Sequence, residues 1–506
     1  MSRRAPGIEP GHGRAGVDDG RQGDAERRAA AKAPAGRLGR LALYGSTRSV
    51  VEGLLGVRGI VLAALLGPQL FGVWALFRLV LTYAAFAGFG LLRGLELEVA
   101  KARGSEDDSR RAWGRTAVGF TLAVFGVITV AIAGAAGLAQ EPWLRAVLWG
   151  IAAGLLFERL WFFGLTYLRA AGSLGEFAVL ELTQAAAQTV LTVGLAFLFG
   201  LEGAFAGFAL ANLAALALLF RRAPFMPMFE PARLRTMLTV GLPLTVTLLL
   251  TTLLATIDRL IVGAVVGIEA LGQYAFAVAV ATVGAAAALI VRTVVFPEMY
   301  GRLGTETAAG ITRDHLEDTI RPFVLMLAPM VGAAAFVLGP AVAWAAPRYL
   351  PAVPAAGVFI FTGVAHGAAN LALLGVVATG QQKQLPTLAL AALVVNAGLS
   401  FGALALGLGL TGLAAGALIG RLGYAFGVLA LVARAADLAA ARTAFAILWP
   451  ILWCTLIVLV VSAWQAPEDL STMARALGAY ALGVAPVGAV LVHALLRVRR
   501  RAAAAR

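Results

Sequence analysis

Apolar runs of about 20 residues recur along the chain from residue 41 to residue 496, separated by short polar breaks. A run of that length crosses a hydrocarbon layer about 30 Å thick as a helix, which satisfies every backbone polar group internally. The pattern predicts fourteen spans, over 41–66, 71–99, 113–138, 143–168, 175–199, 202–220, 236–266, 270–299, 320–346, 352–379, 385–408, 411–433, 443–464 and 472–496. Several exceed the minimum length, which allows tilt or extension past the hydrocarbon. The expected fold class is an all-α polytopic membrane protein.

The breaks alternate in charge. One set carries Lys101, Arg103, Arg110 and Arg111, then Arg169, Arg221, Arg222, Arg233, Arg235, Arg302, Arg313, Lys383, Arg434 and Arg442, and finally the tail from Arg497. The other set runs through Gly67-Pro68-Gln69, Gln140-Glu141-Pro142, Gly200-Leu201, Gly267-Ile268-Glu269, Pro347-Arg348, Gly409-Leu410 and Pro467-Glu468-Asp469. Within it only Arg348 is basic. The positive-inside rule then predicts that both termini are cytoplasmic. An odd number of spans would spoil the alternation.

One pattern occurs twice. Arg58 to Ala75 reads RGIVLAALLGPQLFGVWA, and Asp258 to Ala277 reads DRLIVGAVVGIEALGQYAFA. Gly67, Gly72, Trp74 and Ala75 fall 200 residues before Gly267, Gly272, Tyr274 and Ala275, and Glu98 falls 200 before Glu298. Arg58, Ile60 and Val61 match Arg259, Ile261 and Val262 after a one-residue slip. Gly200, Leu201, Gly203 and Gly207 match Gly409, Leu410, Gly412 and Gly416 at an offset of 209. Two copies of six spans each, 41–220 and 236–433, keep one orientation. They predict two pseudo-symmetric lobes about an axis along the membrane normal, with a site between them. Residues 221–235 hold Pro224, Pro227 and Pro231 and read as a stiff interlobe linker. Residues 443–496 have no counterpart and read as two appended helices. Residues 1–40 read as a disordered cytoplasmic tail, and 497–506 as a basic one.

Composition sharpens this picture. The chain is 60% hydrophobic and 13% charged, with mean hydropathy +0.85. Soluble domains are nearer a quarter charged. The net charge of +14 sits in the breaks, where orientation in the bilayer explains it, and no aromatic-plus-basic constellation points to nucleic acid. A single cysteine, Cys454, excludes an intramolecular disulfide. The four histidines show no metal spacing and no phosphate loop is present, so neither metal, cofactor nor nucleotide is expected.

LLGPQLFGVWA at Leu65–Ala75 resembles the signature that closes the first span of polysaccharide flippases. These are the Wzx-type O-antigen and exopolysaccharide translocases of the MOP superfamily, which also holds the MurJ lipid II flippases and the MATE drug exporters. Asp258–Ala275, Gly241-Leu242-Pro243 and Val294–Glu298 are similar to the same family's second lobe. Where family members often carry an Arg just before the signature, this chain has Ala64, with Arg58 about one and a half turns earlier. The resemblance covers about residues 40–496. It implies a V-shaped pair of six-helix lobes in the bacterial inner membrane. That transporter flips an undecaprenyl-pyrophosphate-linked oligosaccharide by alternating access, without covalent chemistry. Its partners would be the lipid-linked glycan, membrane lipids and other polysaccharide assembly proteins. The alternatives are a MATE-like exporter coupled to Na⁺ or H⁺, and a membrane-embedded polymerase or ligase. The short outward connections argue against the last.

Charges inside spans carry the candidate chemistry, because one ionised side chain at mid-bilayer costs about 2.5–3.5 kcal/mol on insertion scales. A diphosphate asks for several fixed N–H donors, which guanidinium forks supply. The expected substrate-binding residues are Arg48, Arg58, Arg78, Arg259 and Arg292, in a cleft lined by spans 1, 2, 7 and 8. Glu52 and Asp258 are expected to pair with an arginine or to hold Na⁺ or H⁺ as the coupling ion. Arg93, Glu96, Glu98 and Glu298 read as interfacial, Glu158-Arg159 as a structural pair, and His366 with Asn370 as a source of helix–helix hydrogen bonds.

Overall fold

A computed structural model of the chain describes residues 19–102, 107–222, 226–302, 307–464 and 470–504. Among these, all regular structure is helical. Eleven segments are long and apolar enough to cross a membrane. Two of them, Val50–Gly88 and Leu174–Arg221, are broken at Gly67 and Gly200 and hold two crossings each. With the helix Ile268–Arg302, the fourteen predicted spans are all accounted for, and their numbering is kept below.

Span 1 runs to Leu66, and its helix begins at Asp19. Residues 19–40, expected as a tail, extend this helix at its basic end; their Ala and Arg content favours helix. Residues 1–18 of that tail lie outside the described residues. Span 2 comes in pieces: 68–84, a tight turn Ala85–Gly88, left-handed backbone at Phe89 and Gly90, then Leu91–Lys101. Hydropathy gives one continuous run there, since Ala, Phe and Gly are apolar whatever their dihedrals. Left-handed Phe89 costs about 1–3 kcal/mol, so the surrounding packing holds the break. Spans 3 and 4 are Asp107–Leu138 and Pro142–Ala171. Spans 5 and 6 share Leu174–Arg222, span 7 is Pro231–Val266 and span 8 is Ile268–Arg302. Span 9 is Ala308–Ala345, followed by Val353–Ala378, Leu385–Ala405, Gly409–Ala435, Ala440–Trp464 and Leu470–Ala504 as spans 10 to 14.

The two copies meet through a reciprocal contact. A Cβ on Gly72 would lie 1.9 Å from the Ile268 carbonyl oxygen, and one on Gly272 would lie 1.8 Å from that of Pro68. Pro68 and Ile268, like Gly72 and Gly272, are equivalent positions of the repeat. Residue i on j and j on i is the signature of a two-fold axis. Glycine is required at both places because backbone touches backbone.

The lobes also touch at both ends. At the end poor in basic residues, the turn Pro347–Ala352, which carries Arg348, reaches across, and Tyr349 donates to the Ala63 carbonyl (3.0 Å) with its ring against Phe71 and Phe276. At the basic end, the second piece of span 2 lies directly on span 7, so that a Cβ on Gly94 would meet the Met237 carbonyl at 2.0 Å. The appended helices brace span 9, where Tyr480 donates to the Pro329 carbonyl (3.1 Å).

Candidate functional site: a cationic cavity beside the broken second span

The break in span 2 leaves a cavity of about 400 Å³ between spans 2, 3, 4 and 7. Span 4 contributes Glu158, Phe162, Thr166 and Arg169, which recur every three or four residues and so share one helix face. Arg159 joins them beside Glu158. Span 2 contributes Arg78 and Thr82 above the break, and Arg93 and Glu96 below it. Span 7 closes the far side with Thr245, Leu248 and Thr252, again one face, and span 3 adds Thr121 and Phe125. The wall is thus part hydroxyl, part aromatic, with four guanidinium groups and two carboxylates.

The charges form two triads. In the inner one, Glu158 accepts from Arg78 of span 2 at 3.2 Å and from its neighbour Arg159. Glu158 and Arg159 are buried, while Arg78 is 36% exposed to the cavity and stacks over Phe208 at 5.0 Å. The Arg159 Nε is buried with no hydrogen-bond partner among the described residues. In the outer triad, Glu96 lies 3.1 Å from Arg93 and 3.2 Å from Arg169. Each carboxylate sits between two guanidinium groups. Each triad ties span 2 to span 4.

Other predicted residues lie elsewhere. Arg58 is buried inside the first lobe and donates to Gln188 of span 5, whose amide reaches Asn212 of span 6. It is within electrostatic reach of Arg78 and Glu158 but does not line the cavity. Arg259 is half-buried; its Nη2 donates to the Ala255 carbonyl (3.0 Å) of its own helix and its Nε has no partner among the described residues. Arg292 is half-buried without an ion-pair partner among the described residues. Glu52 is half-buried in span 1, and the side chain of Arg48 lies outside the described residues. The expectation put the site on spans 1, 2, 7 and 8; this cavity lies on spans 2, 3, 4 and 7 and takes Arg78 from the expected set. At the reciprocal crossing, spans 2 and 8 meet backbone to backbone.

Asp258 belongs to a sealed network. No part of it is exposed. It accepts from Tyr274 at 2.9 Å and lies 3.5 Å from Arg421 of span 12, whose guanidinium covers the Phe359 ring at 4.6 Å. The arginine beside it therefore belongs to the second lobe. Asn370 donates to the His366 carbonyl of its own helix (3.0 Å), so the expected bond between helices is an intrahelical one. Arg93 and Glu96, read as interfacial, form the cavity's outer wall, and the Glu158-Arg159 pair forms its inner wall. The stripe 158, 162, 166 and 169 is the signal for this in the sequence. No group of metal-binding side chains occurs among the described residues.

A family model described as "Polysaccharide biosynthesis protein" matches residues 61–344, more than half of the chain. No match is found among curated proteins. Among solved structures, "Lipid II flippase MurJ, inward closed conformation" is similar with a TM-score of 0.62 and 11% identity, covering 90% of this chain and 99% of that one. "Inward-facing conformation of a multidrug resistance MATE family transporter of the MOP superfamily" follows with a TM-score of 0.56 and 16% identity, covering 84% and 96%. The "Outward-facing conformation" of a transporter described in the same words gives 0.55 and 16%, covering 84% and 95%. At these identities the likeness concerns the fold. The family match concerns the chain itself: it belongs to the polysaccharide biosynthesis protein family, and its many long apolar helices make it a multi-pass membrane protein.

Proposed function

We propose that the chain flips a lipid-linked oligosaccharide, joined to its polyprenyl carrier by a diphosphate, from the cytoplasmic to the outer leaflet of the inner membrane. One observation carries this reading: four guanidinium groups on the wall of one membrane-embedded cavity. Guanidinium forks favour phosphate over a cationic drug, which the same wall would repel. The hydroxyls of Thr82, Thr245 and Thr252 suit a sugar, and Phe125, Phe162 and Leu248 suit the first carrier units. Both termini are cytoplasmic in this reading, and the basic ends of spans 2 and 4 face the leaflet where the glycan is made. No bond is made or broken, and other assembly proteins would supply and consume the cargo.

Arg78 is the test. It is the most exposed guanidinium of the inner triad, so Arg78→Ala removes a headgroup donor at little cost to the fold. Flipping of the lipid-linked glycan by proteoliposomes should fall at least tenfold, the effect of losing one charge-assisted hydrogen bond of about 1.5–3 kcal/mol. A mutant that inserts normally and flips at the wild-type rate would refute the proposal.

A further inference from the structure

We infer that Glu158 and Glu96 are resident counter-ions, each occupying the place between two guanidinium groups that a phosphate of the substrate takes over. This rests on the cavity being a diphosphate site. Arg78 and Arg159 embrace Glu158, and Arg93 and Arg169 embrace Glu96. In each triad a cation from span 2 and a cation from span 4 share one carboxylate. Two acids against four bases leave the wall positive, and the buried Arg159 Nε has a donor to spare.

The physical need for such acids is plain. A guanidinium without a counter-ion is costly in a low-dielectric wall, so an empty cavity needs anions of its own. A phosphate group brings more charge and more acceptor oxygens than a carboxylate and can take both forks at once. Exchange lowers the net affinity, because the carboxylate must be displaced and returns when the cargo leaves. A transporter requires that weakness, since cargo held by uncompensated arginines would not be released. Glu158 and Arg169 are about 16 Å apart along span 4, farther than one diphosphate reaches. The triads are therefore successive stations, the outer at the basic end and the inner near mid-membrane.

Binding of farnesyl diphosphate to the purified full-length chain in zwitterionic nanodiscs tests the exchange. Glu158→Gln and Glu96→Gln keep side-chain size and remove the competing charge. Each should bind the probe about tenfold more tightly than wild type, with affinity for uncharged farnesol unchanged. Glu158→Gln should also flip cargo more slowly, because return of the carboxylate no longer aids release. If wild type binds the probe and both variants bind it no more tightly, the exchange inference fails while the cavity reading stands. If Glu158→Gln does not accumulate, Glu96→Gln, half-buried at the mouth, decides the matter by the same measurement. If neither wild type nor variants bind farnesyl diphosphate, the cavity reading falls, and the inference with it.

Discussion

The two lobes carry one repeat and use it differently. In the first, the charges on spans 2 and 4 face a cavity, and each acid is shared by two arginines with donors left over. In the second, Asp258, Tyr274 and Arg421 close on one another with Phe359 above them, and Asp258 is wholly buried. In the proposed cycle the two halves move against each other, and a single set of headgroup contacts suffices. On that reading the first half sets its ion pairs on a cavity wall, whereas the second closes Asp258 on Arg421 and keeps Arg259 half-buried outside the cavity. The break in span 2 accounts for the difference: it opens space beside Arg78 and Arg93, whereas its counterpart, span 8, runs unbroken from Ile268 to Arg302.

The contrast is sharpest in the cost of removing one carboxylate. Asp258→Ala leaves Arg421, 11% exposed, without its counter-ion and should destabilise the protein by about 3–5 kcal/mol, seen as a large fall in melting temperature in detergent. Replacing Asp258 and Arg421 together by leucine should recover much of that loss. A melting temperature unchanged in Asp258→Ala would erase the distinction between the lobes. Next comes the crossing that both copies share. Gly272→Ala pushes a methyl group into the Pro68 carbonyl, and overpacking of that kind costs about 1–3 kcal/mol. Gly72→Ala should cost about the same, by symmetry; unequal losses would show that the reciprocity is only local. Smallest is Tyr349→Phe, which removes the hydroxyl bond to Ala63 and should cost about 1 kcal/mol, read as easier labelling of a cysteine placed at Gln69.

Much of this architecture is written in the hydropathy pattern. Span count and the two breaks at Gly67 and Gly267 follow from where apolar runs stop. The reciprocal contact follows from Gly72 and Gly272 standing at equal places in each copy. The site is less legible. Arg78 reads as a buried cation asking for a partner, but its partner Glu158 lies on span 4, and which helix face meets which is decided by packing between distant segments. Arg58 and Asp258 stand out for the same reason as Arg78, yet Gln188 and Arg421 absorb them. A charge inside a span signals that a partner exists; it does not say whether that partner belongs to the protein or to its cargo. The break at Phe89 has no signal in hydropathy, and it is the feature that opens the cavity.

The central claim is that the anionic headgroup sits in the first lobe, between spans 2 and 4. Photo-crosslinking with a diphosphate-linked lipid that carries its reactive group next to the phosphates, followed by peptide mapping, tests this most directly. The account predicts labelling of residues 78–96 and 158–169, abolished by excess pyrophosphate. Labelling confined to spans 10 to 12 of the second lobe, with residues 78–96 and 158–169 unmodified, would contradict it.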